Sequence, residues 1–145
     1  NARNVSMGIA FVDADSSGAL LPGGTTQTGL LEALTRQQFK VRGADLSPAL
    51  VLSMDDAAIQ AAAAGKFQRL AYGVARVASV SQDGSTFIAT VRGALKVVDL
   101  SNGAVLYSAE KVGTGLGSDK TSAVQAAFTQ LGRKALGDDL LSTLP

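Results

Sequence analysis

The stretch "FIATVRGALKVVDLSNGAVLYSAEKV" (residues 87–112) contains two strand-like segments joined by a tight turn. In the first segment, apolar side chains alternate with Thr90 and Arg92, which is the period of a half-buried strand. Asn102-Gly103 is a strong two-residue hairpin signal, because both turn positions need a left-handed backbone. Residues 72–80, just upstream, are also rich in valine and other strand formers. Together the three segments predict an antiparallel meander.

Upstream of the meander, strand-like and helical patterns alternate. Residues 5–12 form an apolar run that predicts a buried strand. Thr25 or Thr26 is placed to cap the helix that follows, and residues 39–41 predict a short second strand. Ser47-Pro48 then begins an alanine-rich helical stretch, because serine suits the cap and proline the first helical position.

The helix predicted after the meander carries apolar residues at helical spacing from Ala123 to Leu136. The complete order is therefore β-α-β-α-β-β-β-α. This order predicts an α/β (α+β) fold with a mixed sheet, a C-terminal antiparallel meander and three helices packed on the sheet.

Composition excludes several classes of function. The chain has 13 basic and 12 acidic residues, and its net charge of +1 provides no electrostatic surface for nucleic acid. It contains no histidine and no cysteine, which excludes thiol nucleophiles, imidazole acid–base catalysis and the usual zinc sites. We therefore predict no catalytic residues and no cofactor.

The glycine-rich segment 113–121, "GTGLGSDKT", resembles a phosphate-binding loop without matching one. A P-loop and a dinucleotide-binding motif both require glycine where Ser118 stands. We favour a structural joint between a strand and a helix, with Ser118 as the helix cap. The alternative is a small-molecule or nucleotide-binding protein with an anion site at Gly115, Gly117, Ser118 and Lys120.

The segment "DADSSGAL" (residues 13–20) has the spacing of a calcium loop, with oxygen ligands at Asp13, Asp15 and Ser17. The bidentate glutamate of such a loop is replaced by Gly24, so local Asx turns explain the same residues without a metal. A calcium-stabilised structural module remains a second alternative. A phosphoryl-transfer site on the two aspartates has less support, because no further aspartate pair follows a strand.

Several short motifs together resemble a class of cell-envelope domains. They are Tyr72-Gly73, Val97-Val98-Asp99, Asn102-Gly103, the glycines 113, 115 and 117, and the final amphipathic helix. The pattern is similar to the periplasmic α/β domains of the curli-export lipoprotein, the middle domain of flagellar assembly protein T and the N-terminal domain of TolB. Gln38-Phe39 replaces the usual Gly-Phe step, and the lipid-attachment cysteine is absent.

This resemblance implies a non-enzymatic assembly or protein-interaction domain that is periplasmic or anchored to the outer membrane. Its implied partners are other envelope proteins or further copies of itself. We expect residues 1–145 to form a single domain, one module of a longer envelope protein, with Asn1-Ala2 as a remnant of a cleaved tag. The apolar runs are shorter than the roughly 20 residues of a transmembrane helix.

Overall fold

The computed structural model describes residues 2–145, so Asn1, part of the expected tag remnant, lies outside the described residues. A short 3-10 helix, Ala2–Asn4, comes first. The strands are β1 (Met7–Ala14), β2 (Leu20–Leu21), β3 (Val41–Gly43), β4 (Arg69–Asp83), β5 (Thr86–Asp99) and β6 (Val105–Gly117). The helices are α1 (Thr25–Arg36), α2 (Pro48–Ser53), α3 (Asp56–Ala63), α4 (Lys120–Gln130) and α5 (Gly137–Thr143), with a π-helical segment, Leu131–Leu136, joining the last two.

The strands form one open mixed sheet in the order β2-β1-β4-β5-β6, and β3 pairs with β1 on the same side as β2. β1 runs parallel to β3 and β4, whereas β4, β5 and β6 are antiparallel neighbours. Gly84 and Gly103, at φ of 61° and 74°, lie in the two hairpin turns of this meander. The predicted fold class is therefore confirmed. The predicted two-residue turn at Asn102-Gly103 is wrong, because residues 100–103 separate Asp99 from its partner Ala104 and only Gly103 among them has a left-handed backbone.

One face of the sheet is covered by α1 and by the long C-terminal helix that runs from α4 through α5. The buried side chains that these helices contribute include Leu30, Leu34, Phe128 and Leu131. The two helices touch at Gly132, where a Cβ atom would collide with the backbone oxygen of Thr26. Gly132 therefore permits helix–helix contact, and the C-terminal helix continues past it to Thr143.

The opposite face is covered mainly beside β1 and β4, by α2 and α3. Their smaller core consists of Ala10, Val51, Ile59, Ala63, Leu70, Tyr72 and Val98. The sequence predicted one helical stretch here, but Met54 has a left-handed backbone with φ of 53° and ends α2. Asp55 then caps α3 by accepting a hydrogen bond from the N–H of Ala58. With α4 through α5 counted as one helix, residues 2–145 therefore place four helices on the sheet instead of the predicted three.

The strands also differ in detail from the sequence prediction. β2 was not predicted, since its two residues become a strand only by pairing with the end of β1. β3 occupies Val41–Gly43 instead of residues 39–41. Its bounds are set by pairing with β1, in which Val41 lies opposite Met7. Phe39 is instead a core residue, only 8% exposed.

Candidate functional site

The three alternate glycines of the "GTGLG" motif belong to strand β6 and not to a loop. Gly113 lies opposite Val91 and Gly117 opposite Phe87 in the ladder with β5. A Cβ atom on Gly113 would lie 2.6 Å from the oxygen of Ala127, and one on Gly115 would collide with the backbone of α4. The glycines therefore let the backbone of α4 lie directly on β6.

The start of α4 shows which residue caps this helix. Asp119, and not Ser118 as predicted, is the cap, since its Oδ1 accepts a 2.7 Å hydrogen bond from the N–H of Ser122. That hydrogen bond, with a further one from the Ser122 side chain, lowers the pKa of Asp119. Ser118 and Lys120 are exposed, whereas Gly115 faces α4. The candidate anion-site residues thus include a buried glycine against α4 and two exposed side chains, and the Asp119 carboxylate already binds at the helix N-terminus.

Asp15 and Ser17 of the candidate calcium loop are engaged in local hydrogen bonds. Oδ1 of Asp15 accepts from the N–H of Ser17 at 2.9 Å, from its hydroxyl at 2.7 Å and from the N–H of Ala19 at 2.9 Å. The Ser17 hydroxyl contributes most to lowering the pKa of Asp15. Within residues 2–145, no three His, Cys, Asp or Glu side chains cluster so that they could hold a metal ion.

Asp13 has a different role from Asp15, because it points into the protein at the end of β1. It is 3% exposed, and its Oδ2 accepts a 3.2 Å hydrogen bond from the N–H of Thr26. Burial raises the pKa of Asp13, although hydrogen bonds from Thr26 and Thr25 oppose the shift. The predicted cap of α1, Thr25 or Thr26, is therefore wrong. A strand residue distant in sequence performs this function.

A surface cleft of about 460 Å³ lies beside Asp13, between the start of α1 and the connection from β3 to α2. It is lined by Phe11, Val12, Asp13, Leu20, Leu21, Pro22, Gly23, Gly24, Gln27, Ala44, Leu46 and Pro48. Ligands of open α/β sheets often bind at the carboxyl ends of parallel strands, which is where this cleft lies. Of its polar groups, Oε1 of Gln27 accepts from the N–H of Phe11 at 2.8 Å, whereas the buried Oδ1 of Asp13 has no hydrogen-bond partner among residues 2–145.

The most distinctive surface is the free edge of the sheet. β6 pairs with β5 on one side, and within residues 2–145 no strand pairs with its other side. Three of the four exposed large hydrophobic side chains of this range lie on β6: Val105 (57%), Val112 (43%) and Leu116 (64%). Because Gly113 and Gly115 face α4, strand alternation directs Val112 and Leu116 to the opposite, uncovered face.

Near the C-terminal end of β6 a side chain already binds an outward backbone group, and the middle of the strand carries charged side chains. The N–H of Thr114 donates to Oε1 of Gln130 at 3.3 Å, so an outward-pointing backbone group is already satisfied there. Nearer the middle, Glu110 lies 3.8 Å from Nη1 of Arg92 on β5. Lys111 lies 3.8 Å from Oδ1 of Asp139 in α5.

Sequence reasoning did not find this edge, although one signal was present. In residues 112–117, glycines alternate with Val112, Thr114 and Leu116. In a strand, this pattern gives one face without side chains and one face that carries the three larger side chains. The three-stranded meander was predicted, but which of its strands lies at the edge depends on the distant β1 pairing with β4.

Comparison with solved structures identifies proteins that have the same fold. A PelC dodecamer from Paraburkholderia phytofirmans, solved as a single-residue variant, is 13% identical, with a TM-score of 0.53 over 97% of this chain and 89% of that chain. A second PelC dodecamer structure from the same organism is 22% identical, with a TM-score of 0.52 over 94% and 88%. Protein XCC0632 of the DUF330 family from Xanthomonas campestris is 11% identical, with a TM-score of 0.51 over 95% and 85%. At these identities the likeness establishes a shared fold.

The family follows from the sequence itself. Residues 6–141 match the family of TP0693-like lipoprotein C-terminal domains, and the chain belongs to that family. It is therefore an envelope-associated lipoprotein domain, as the resemblance indicated in general, while the particular classes named there stay predictions. None of the curated proteins matches the chain. In residues 2–145, every helix is too short or too polar to cross a membrane.

Proposed function

We propose that this chain is a non-enzymatic assembly domain of an extracytoplasmic envelope lipoprotein, which binds other protein chains through the open edge of β6. The observation that carries the proposal is the unpaired strand β6 with exposed Val105, Val112 and Leu116. An unpaired edge offers backbone hydrogen bonds to another chain, and the apolar side chains beside it would lose contact with water on binding. The dodecameric state of PelC supports self-association as one use of this fold.

The test is photo-crosslinking in cells that make the full-length lipoprotein. A photoreactive amino acid is placed at Val112 or at Leu116 on β6. The matched control position is Thr35, which is also exposed but lies on α1. We expect covalent protein adducts from both β6 positions and few from position 35. Equal yields at all three positions, or no adduct at β6, would contradict the proposal.

A further inference from the structure

We infer that the partner at this edge is a second copy of the same chain, with the two β6 strands antiparallel around a two-fold axis at Ala109. This inference rests on the proposed use of the β6 edge and names its occupant. It follows from which backbone groups are free, which registers avoid like charges, and where complementary charges would meet.

The free backbone groups restrict how the strands can pair. The outward N–H of Thr114 shows that even-numbered residues of the regular part of β6 point their backbone groups away from β5. Antiparallel strands that meet around a two-fold axis align residues on the same face of the sheet. With Ala109 at the axis, Ser108 and Glu110 of opposite copies form hydrogen-bonded pairs. Ala109 then faces its own counterpart in a pair without backbone hydrogen bonds.

Charge eliminates two neighbouring registers. An axis at Glu110 would place two glutamates directly opposite each other, and an axis at Lys111 would do the same with two lysines. Like charges directly opposite each other destabilise a sheet. With the axis at Ala109, Glu110 lies opposite Ser108 and Lys111 lies opposite Tyr107.

Backbone geometry eliminates the next register on each side. An axis at Val112 would pair Glu110 with Thr114, whose N–H already donates to Gln130. An axis at Ser108 would place Leu106, the extra residue of a bulge in the β5–β6 ladder, opposite Glu110 and only two residues from the axis. Of the five registers from Ser108 to Val112, the Ala109 axis is the one that avoids like-charge pairs, does not use Thr114 and keeps the bulge at Leu106 three residues from the axis.

This register also brings opposite charges together. The Tyr107 hydroxyl donates a 2.6 Å hydrogen bond to Oδ2 of Asp139, so a carboxylate lies beside Tyr107. Lys111 of the second copy comes opposite Tyr107 and thus close to that carboxylate. By symmetry, each Asp139 then lies between two lysines. Val112 lies opposite the half-buried Leu106 of the second strand, next to Val105, so apolar side chains also lie close together.

Single-cysteine variants test this register directly, since the chain contains no cysteine of its own. In the inferred dimer the two Ala109 Cα atoms lie about 4.5 Å apart, within the range of a disulfide. We expect Ala109→Cys to form a disulfide-linked dimer under mild oxidation. Glu110→Cys should not, because its two copies would be more than about 7 Å apart. A mixture of Ser108→Cys and Glu110→Cys proteins should form the mixed dimer.

The outcomes separate this inference from the proposed function. Thermal unfolding of each variant first shows that it is folded. The exposed positions 108 and 110 provide a second test if Ala109→Cys fails to fold. The register would be wrong if the Ser108→Cys and Glu110→Cys proteins formed no mixed disulfide dimer. It would also be wrong if Glu110→Cys by itself formed a disulfide-linked homodimer. If the cysteine variants remain monomeric while the photo-adducts at Val112 contain a different protein, the inference is wrong and the proposed function stands. If β6 forms no adduct of any kind, both are wrong.

Discussion

The hydroxyl of Tyr72 donates a 2.7 Å hydrogen bond to Oδ1 of Asp56, which joins the first residue of α3 to the centre of the sheet. Lys96 on the neighbouring strand binds the other carboxylate oxygen at 3.0 Å. Asp56 therefore links two strands to a short helix of eight residues. Since an isolated helix of this length is not stable in water, such contacts determine whether α3 forms.

Tyr72→Phe should destabilise the protein by about 1.5 kcal/mol at neutral pH, because it removes a partly buried hydrogen bond to a charged group. Burial, and then the hydrogen bond to Asp56, raise the pKa of Tyr72 from 10.0 to about 12. The folded state therefore favours the neutral phenol, and this stabilisation is present below pH 10 and lost as the pH rises to about 12. Urea unfolding of both proteins across this range is the measurement. An equal decrease in the free energy of unfolding of the two proteins with rising pH would contradict the prediction.

Gly115→Ala should destabilise the protein by about 1–3 kcal/mol, because its Cβ would force α4 away from β6. The control is Leu116→Ala at the next position, whose side chain is 64% exposed on the other face. The control should change the free energy of unfolding by no more than about 0.5 kcal/mol. Chemical denaturation measures both values. Equal effects would mean that α4 does not lie against the glycines.

Asp119→Ala should lower the unfolding temperature, because α4 loses its cap, whereas Lys120→Ala should leave it unchanged. The pKa of Asp119 is lowered by Ser122, so its stabilisation is present above the pKa of an unfolded aspartate and lost as the pH falls through the folded value. The same thermal scans with Mg-ATP and NAD test the anion-site alternative. A nucleotide-dependent shift that Lys120→Ala removes would support that alternative instead.

Asp13→Asn should keep the cap on α1 and remove the cost of a buried charge. Burial raises the pKa of Asp13, so the folded state binds the proton more tightly than the unfolded state. The contribution of the Asp13 carboxyl group to the free energy of unfolding of the wild type is therefore greatest below the unfolded pKa of about 3.9. This contribution decreases as the pH rises. We expect the variant to be more stable than wild type at neutral pH, with a difference that vanishes in acid. A constant difference across pH would contradict this.

Calcium and a chelator should give the same unfolding temperature, since the Asp15 carboxylate already accepts hydrogen bonds from Ser17 and Ala19. Bound calcium at about a hundred times its dissociation constant would add roughly 2.7 kcal/mol, which is easily detected. Asp15→Ala should lower the temperature equally with and without calcium. A calcium-dependent shift that this variant removes would establish the metal alternative.

The meander, the place of its second hairpin and the Ser47-Pro48 helix start were predictable because each depends on residues close together in sequence, although the turn is longer than the two residues that Asn102-Gly103 indicated. Period-two alternation identifies a strand, and a cap lies within three residues of the N–H that it binds. The break at Met54 was only partly visible, in the aspartates that follow it. The glycines of β6 were recognised as a structural joint, but their contact with α4 was not.

By itself, the sequence determined the order of the main strands and helices, the meander, the family and the absence of thiol and imidazole chemistry. The tertiary structure decided that β1 pairs with β4, and this pairing leaves β6 at the edge with Val112 and Leu116 exposed. It also decided that Asp13 caps α1 and that Asp56 bonds to Tyr72. The physical reason is that these contacts join residues far apart along the chain. Whether they form depends on packing of the whole sheet and not on any local preference.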